Sequence, residues 1–85
     1  MFSVYAIYNK IRNKIYIGHT SDLDNRLKRH NKILPNKLKS FTSKNNGLWE
    51  LIHREDFDTR KMAIIREQEL KSYQGRRFIR SLIKE

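Results

Sequence analysis

The chain has 85 residues, and 19 Lys and Arg against nine Asp and Glu give it a formal net charge of +10. This length predicts one small domain, and a charge this positive is typical of nucleic-acid-binding proteins. The sequence contains no cysteine, which excludes disulfide frameworks and thiolate metal sites. No apolar run reaches membrane-spanning length. We therefore expect a single cytoplasmic domain over residues 1–85 that does not contact a membrane.

A β-hairpin is predicted at the start of the chain. Residues 2–9 and 14–18 are rich in aromatic and β-branched side chains, which favour strands, and a polar stretch with two asparagines separates them. A loop of about five residues would join the strands. If the hairpin is symmetric about Arg12, Tyr8 lies opposite Tyr16 on one face of the sheet.

The first helix is predicted from Asp22 to about Ile33, with Ser21 as its N-cap and Pro35 after its end. Residues about one turn apart lie on the same side of a helix. The apolar stripe of this helix begins at Leu23.

Two polar residues of this helix, Arg26 and His30, lie one turn apart on or beside that stripe. An arginine on the core side of a helix needs an anionic partner or a ligand. The alternative is structural, with an arginine that extends to water and a buried histidine that is hydrogen-bonded.

The rest of the chain predicts one more strand and two more helices. A basic stretch over 32–46 leads to a strand over 48–54, and Asp58 or Thr59 then caps a helix that runs to about Tyr73. Gly75 interrupts the pattern, and a short last helix covers 77–84. The order β-β-α-β-α-α predicts an α+β fold with a small antiparallel sheet.

The second of these helices carries two glutamates, Glu67 and Glu69, on opposite borders of its apolar arc. The periodicity cannot choose between them, and either could instead form a surface salt bridge. Other apolar residues in this half of the chain are predicted to be core: Met62, Ile64, Ile65 and Trp49.

Taken together, these segments resemble the GIY-YIG nuclease family. The tripeptides AIY (6–8) and YIG (16–18) stand in the order and spacing of the family motif, and an arginine and a histidine follow as Arg26 and His30. The segment 49–71 is similar to the family's third strand and glutamate-bearing helix, which places the family's glutamate on Glu67 rather than Glu69. One departure is Ala6, which replaces the first glycine of the motif.

The resemblance implies a three-stranded antiparallel sheet flanked by helices and a metal-dependent DNA endonuclease. Glu67 would hold one Mg²⁺ or Mn²⁺, completed by water and phosphate oxygens. Arg26 would stabilise charge on the phosphate. Tyr8 is the first choice for the general base, with Tyr16 orienting water or sharing that role. His30 would relay the proton or bind phosphate.

A supporting role falls to His19, where some members of the family have a lysine. We expect all the catalytic side chains to converge on one concave face. DNA would be the partner, bound through backbone-contacting charges at Lys32, Lys37, Lys39, Lys44, Arg76, Arg77 and Arg80. Such a nuclease could select DNA structures in repair. The alternative is a non-catalytic nucleic-acid-binding module on the same fold, and the sequence leaves open whether a protein partner or a homo-oligomer provides targeting.

Overall fold

A computed structural model describes residues 1–30 and 48–83. In these residues the chain forms one antiparallel sheet with strand order β2-β1-β3, together with three helices. This architecture confirms the predicted α+β class. The elements are β1 (Phe2–Asn9), β2 (Lys14–Thr20), α1 (Leu23–His30), β3 (Trp49–Phe57), α2 (Arg60–Lys71) and α3 (Tyr73–Ser81). Over the described ranges, no helix is long and apolar enough to cross a membrane.

The hairpin of β1 and β2 has a different register from the predicted one. Tyr8 pairs with Ile15, and the residue opposite Tyr16 is Ile7. The turn covers only residues 10–13, because Asn9 stays in β1 and its side-chain oxygen accepts a hydrogen bond from the Arg12 backbone N–H at 3.1 Å. A shift of one residue moves every side chain of a strand to the other face. The predicted pairing of Tyr8 with Tyr16 is therefore wrong.

The sheet buries both of its faces, and the two cores differ in chemistry. On one face, α2 and α3 cover an entirely apolar cluster: Val4, Ala6, Ile17, Ala63, Leu70 and Ile79. On the other face, α1 packs on a cluster that contains aromatic rings with polar atoms: Tyr5, Ile7, Leu23 and Trp49, with Tyr16 and Leu27 beside them. Because neighbouring residues of β1 point to opposite faces, this one strand contributes to both cores.

Helix boundaries follow from side-chain caps. Asp22, rather than the predicted Ser21, caps α1, since its carboxylate accepts a hydrogen bond from the Asn25 N–H at 3.3 Å. The predicted cap Thr59 is confirmed for α2, where its hydroxyl accepts from the Met62 N–H at 3.2 Å. The extension of α1 towards Ile33 lies outside the described residues.

The prediction that Gly75 separates two helices is wrong, because Gly75 lies inside α3. Ser72 alone connects α2 to α3, and its hydroxyl accepts a hydrogen bond from the Gly75 N–H at 3.2 Å. A Cβ at Gly75 would lie 2.5 Å from the Cα of Leu70 and would also clash with the Glu69 carbonyl oxygen. Glycine is needed here because the helices touch at their backbones.

Three side chains of α2 that were predicted to be core are instead exposed: Met62, Ile64 and Ile65. The helix buries Ala63 and Leu70, so its core stripe is narrower than the apolar content of its sequence suggests. The prediction for Trp49 is confirmed, since this side chain is buried beside the sheet.

Candidate active site

The centre of the candidate site is the buried hydroxyl of Tyr5. The Tyr5 hydroxyl is hydrogen-bonded to Nε2 of His30 at 2.8 Å and accepts a hydrogen bond from Nε of Arg26 at 3.3 Å. Strand β1 supplies the tyrosine, and one side of α1 supplies both partners, which are one turn apart. The predicted placement of Arg26 and His30 on the inner side of α1 is therefore confirmed.

Tyr16 and Gly18 of β2 complete this cluster. The Tyr16 ring lies 4.9 Å from the His30 ring and 6.2 Å from the Tyr5 ring, measured between centroids. Gly18 pairs with Tyr5 across the hairpin, and a Cβ there would lie 2.9 Å from Cε1 of Tyr16 and 3.0 Å from the Tyr5 hydroxyl oxygen. The glycine thus leaves the space in which the two tyrosines approach each other.

Burial sets the protonation states of this cluster. It raises the pKa of Tyr5 far above its ordinary value, although the hydrogen bond from Arg26 acts in the opposite direction. Burial, helped by the positive charge of Arg26, lowers the pKa of His30 to about 4. At neutral pH, Tyr5 is therefore protonated and His30 is neutral.

Glu67 and His19 form a second polar group at the outer edge of β2. One carboxylate oxygen of Glu67 bonds Nδ1 of His19 at 2.5 Å, and the other accepts from Nζ of Lys71 at 2.7 Å. Arg60 donates to the remaining nitrogen of His19 at 3.2 Å, so the imidazole proton sits on Nδ1 and points to Glu67. His19 therefore links two charged side chains of α2.

The pKa of Glu67 lies below its ordinary value. Burial alone would raise it, but the hydrogen bonds from Lys71 and His19 outweigh burial. The carboxylate is thus ionised at neutral pH. Glu69, by contrast, is exposed and lies 3.6 Å from Arg66 as a surface ion pair. The structure distinguishes the two glutamates, which the periodicity could not do.

The expectation that all catalytic side chains share one face is wrong for Glu67. Its helix α2 packs on the face opposite α1, which carries Arg26. Glu67 nevertheless reaches the edge of β2 at His19, next to Gly18, and its negative charge is close enough to raise the pKa of Tyr5. Because β2 is an edge strand and Gly18 has no side chain, a ligand lying along this edge could contact both groups.

Tyr8, the predicted general base, lies outside this cluster. Its hydroxyl donates to the side chain of Asn13 at 3.1 Å, at the far end of the hairpin. Sequence reasoning missed Tyr5, although Asn9 held a usable signal: a strand-end asparagine that accepts from the turn shortens the loop and changes the register. With that register, Tyr5 rather than Tyr8 stands on the face of the sheet that carries Tyr16.

The predicted phosphate-contacting residues fall into three groups. Arg76 lines a cleft beside Tyr16, and Arg77 stacks over the ring of Tyr73. Arg80 is engaged in the fold, since it donates to the Asn13 side chain at 2.7 Å. The lysines in the remaining group lie outside the described residues: Lys32, Lys37, Lys39 and Lys44.

The donor set at Glu67 fits one kind of metal. Among residues 1–30 and 48–83, no three His, Asp or Glu side chains gather as ligands, so a zinc cage is not formed there. A single ionised carboxylate at the protein surface suits Mg²⁺ or Mn²⁺, which keep several waters and take further oxygens from phosphates. Glu67 meets that requirement.

Comparison with known proteins gives three consistent results. A sequence model described as the GIY-YIG catalytic domain matches residues 1–78. A UPF0213 protein of Haloquadratum walsbyi is 37% identical over 59 residues, which are 69% of this chain and 62% of that protein. The solution NMR structure of a UPF0213 protein from Bacillus halodurans superposes with a TM-score of 0.54 and 27% identity, over 96% of this chain and 85% of the other. The chain thus spans less than two thirds of the length of the curated relative.

Proposed function

Because the chain belongs to the GIY-YIG family, a nuclease family, we propose that it is a divalent-metal-dependent endonuclease that hydrolyses DNA phosphodiesters. The observation that carries this proposal is the meeting of Tyr5, Arg26 and His30 at one hydroxyl, beside the edge of β2 that Glu67 reaches. A domain with a net charge of +10 supplies the attraction for phosphates. The lack of cysteine fits a cytoplasmic setting.

The general base in this proposal is Tyr5, which replaces Tyr8. A protonated tyrosine must lose its proton before it can accept one from water, and burial holds the pKa of Tyr5 high and that of His30 low in the folded protein. The positive charges of Arg26, which already bonds the Tyr5 hydroxyl, and of a metal ion at Glu67 would lower the pKa of Tyr5 and stabilise the tyrosinate, with its proton released to water. Tyr16, which contacts both rings, orients the water or shares the proton.

Arg26 also acts on the substrate. It is partly exposed, and its hydrogen bond with Tyr5 helps to raise its pKa above the ordinary value, so it remains a cation. A fixed positive charge beside a phosphate stabilises the charge that develops during hydrolysis. Arg26 therefore serves both tyrosinate and phosphate.

Glu67 would hold the metal, with Lys71 and His19 fixing the orientation of its carboxylate. Members of this family are generally dependent on divalent metals. A Mg²⁺ or Mn²⁺ ion at this place would supply positive charge that polarises the phosphoryl group. His19 keeps its supporting role by holding one oxygen of Glu67.

Nicking of supercoiled plasmid tests this proposal. We expect cleavage in Mg²⁺ or Mn²⁺ and none in EDTA. Glu67→Ala should abolish cleavage while DNA affinity stays similar, and Glu69→Ala, the matched change on the same helix, should cleave at nearly the wild-type rate. Loss in Glu69→Ala with retention in Glu67→Ala would show that the wrong glutamate has been chosen.

Unchanged rates in both variants would remove the nuclease function and leave a DNA-binding module. Where cleavage is found, a panel of duplex, flapped, branched and damaged substrates would test selectivity for DNA structures of the kind met in repair.

A further inference from the structure

A cleft of about 280 Å³ lies at the edge of β2, where Ile15, Tyr16 and Ile17 contribute to its lining. Lys71 and Arg76 also line it, and Tyr16 is the residue that it shares with the candidate active site. These two cations come from the last residue of α2 and the first turn of α3. The helix junction at Ser72 thus holds two positive charges beside a catalytic tyrosine.

Both cations keep donors for a ligand. A lysine ammonium has three N–H donors, and Lys71 gives one of them to Glu67 at 2.7 Å. Arg76 donates its Nε–H to the Lys71 carbonyl oxygen at 3.0 Å, which orients the guanidinium. Within the described ranges, the Nη groups of Arg76 make no hydrogen bond with the protein. Glu67 offsets part of this charge, but it is the residue proposed to hold a metal.

We propose that the cleft of Lys71, Arg76 and Tyr16 binds a second phosphate of the DNA strand, next to the phosphate that is cleaved. This inference rests on the proposed function. Because Lys71 is bonded to Glu67 at 2.7 Å, the cleft adjoins the place proposed for the metal and the cleaved phosphate, and a neighbouring phosphate of the same strand would lie beside it. Arg76 contacts the phosphate through its guanidinium, and Lys71 contacts it while remaining bonded to Glu67.

The test measures binding and needs no cleavage. The affinity for a short duplex is titrated against salt in EDTA for Lys71→Ala, Arg76→Ala and the control Lys61→Ala, an exposed lysine on the same helix. Each lost phosphate contact lowers the slope of log affinity against log salt by about 0.9. We expect that change for the two cleft variants and a much smaller one for Lys61→Ala.

A second comparison separates phosphate binding from support of Glu67. In a Glu67→Ala background, Lys71→Ala should still reduce the salt slope, because the phosphate contact does not depend on the carboxylate. Loss of the Lys71 effect in that background would show that Lys71 acts only on Glu67. Equal slopes in all three single variants would also overturn the subsite. If the wild-type protein binds no DNA, the proposed function fails with it; binding with unchanged slopes removes the subsite alone.

Discussion

The two faces of the sheet bury different kinds of side chain. The face covered by α2 and α3 is wholly apolar at its centre, with Val4, Leu70 and Ile79 almost completely shielded from water. The face covered by α1 buries two titratable side chains that are hydrogen-bonded to each other, Tyr5 and His30, beside the cation of Arg26. Strand β1 supplies residues to both, by the alternation of a β-strand.

This difference separates stability from chemistry within a very small domain. Burial of apolar surface stabilises the fold, whereas burial of Tyr5 and His30 shifts their pKa values and costs stability. Changes on the apolar face should therefore alter the free energy of unfolding, and changes on the polar face should alter the rate of cleavage. The apolar face and the polar face meet at the edge of β2, where Gly18 and His19 lie.

Among changes on the polar face, the largest effect should come from Arg26. Arg26→Ala removes the cation next to Tyr5 and should reduce the nicking rate by about 10²–10⁴-fold, and DNA affinity should fall as well. Lys28→Ala, on the exposed side of the same helix, is the control and should cleave normally. Equal rates for both variants would assign Arg26 to the fold rather than to the reaction.

On the apolar face, Leu70→Ala should lower the free energy of unfolding by about 2–5 kcal/mol, because it leaves a cavity in a packed core. Urea denaturation measures the loss. At a temperature where the variant is still folded, its nicking rate should match that of the wild type. A rate loss in the fully folded variant would show that the two faces are coupled.

Gly75 and Gly18, where an added Cβ would meet a close neighbour, allow a paired comparison. Gly75→Ala places a methyl against the backbone of Leu70 and should cost about 1–3 kcal/mol of stability with little effect on folded-state activity. Gly18→Ala meets only the side chains of Tyr5 and Tyr16, which can move, so stability should change less. Cleavage should nevertheless fall about 10–100-fold, since the tyrosines are displaced. The reverse pattern would place the chemistry on the other face.

The smallest predicted effect is on stability below neutral pH. The pKa of His30 is about 4 in the folded protein and 6.5 ordinarily, so the unfolded chain binds a proton first as the pH falls. Stability should thus be constant above pH 6.5 and decline below it. Between pH 7 and pH 5 the loss should be about 1–2 kcal/mol, allowing for solvent screening, and His30→Gln should lack this part of it. An unchanged pH dependence in His30→Gln would show that His30 is not held neutral.

The sequence predicted the fold well because the signals for its elements are local. Hydrophobic pattern and caps such as Thr59 were sufficient for the order of strands and helices. The register of the hairpin depends on one hydrogen bond, in which the side chain of Asn9 closes the turn, and strand propensity does not report it. An error of one residue in that register placed Tyr8, instead of Tyr5, on the face of the sheet that carries Tyr16. Likewise, periodicity treats the two glutamates alike, and only the long-range contact with His19 distinguishes Glu67 from the exposed Glu69. The exposure of Met62 could not be predicted, because the narrow contact of α2 with the sheet is a tertiary property.

The most direct test compares the nicking rates of Tyr5→Phe and Tyr8→Phe at the same metal and DNA concentrations. Each variant removes a single hydroxyl and keeps its ring, so packing is preserved on both faces. If the polar face carries the reaction, Tyr5→Phe should lose about 10²-fold or more of the rate and Tyr8→Phe should remain within a few-fold of the wild type. Loss of cleavage in Tyr8→Phe, with Tyr5→Phe still active, would contradict the placement of the site.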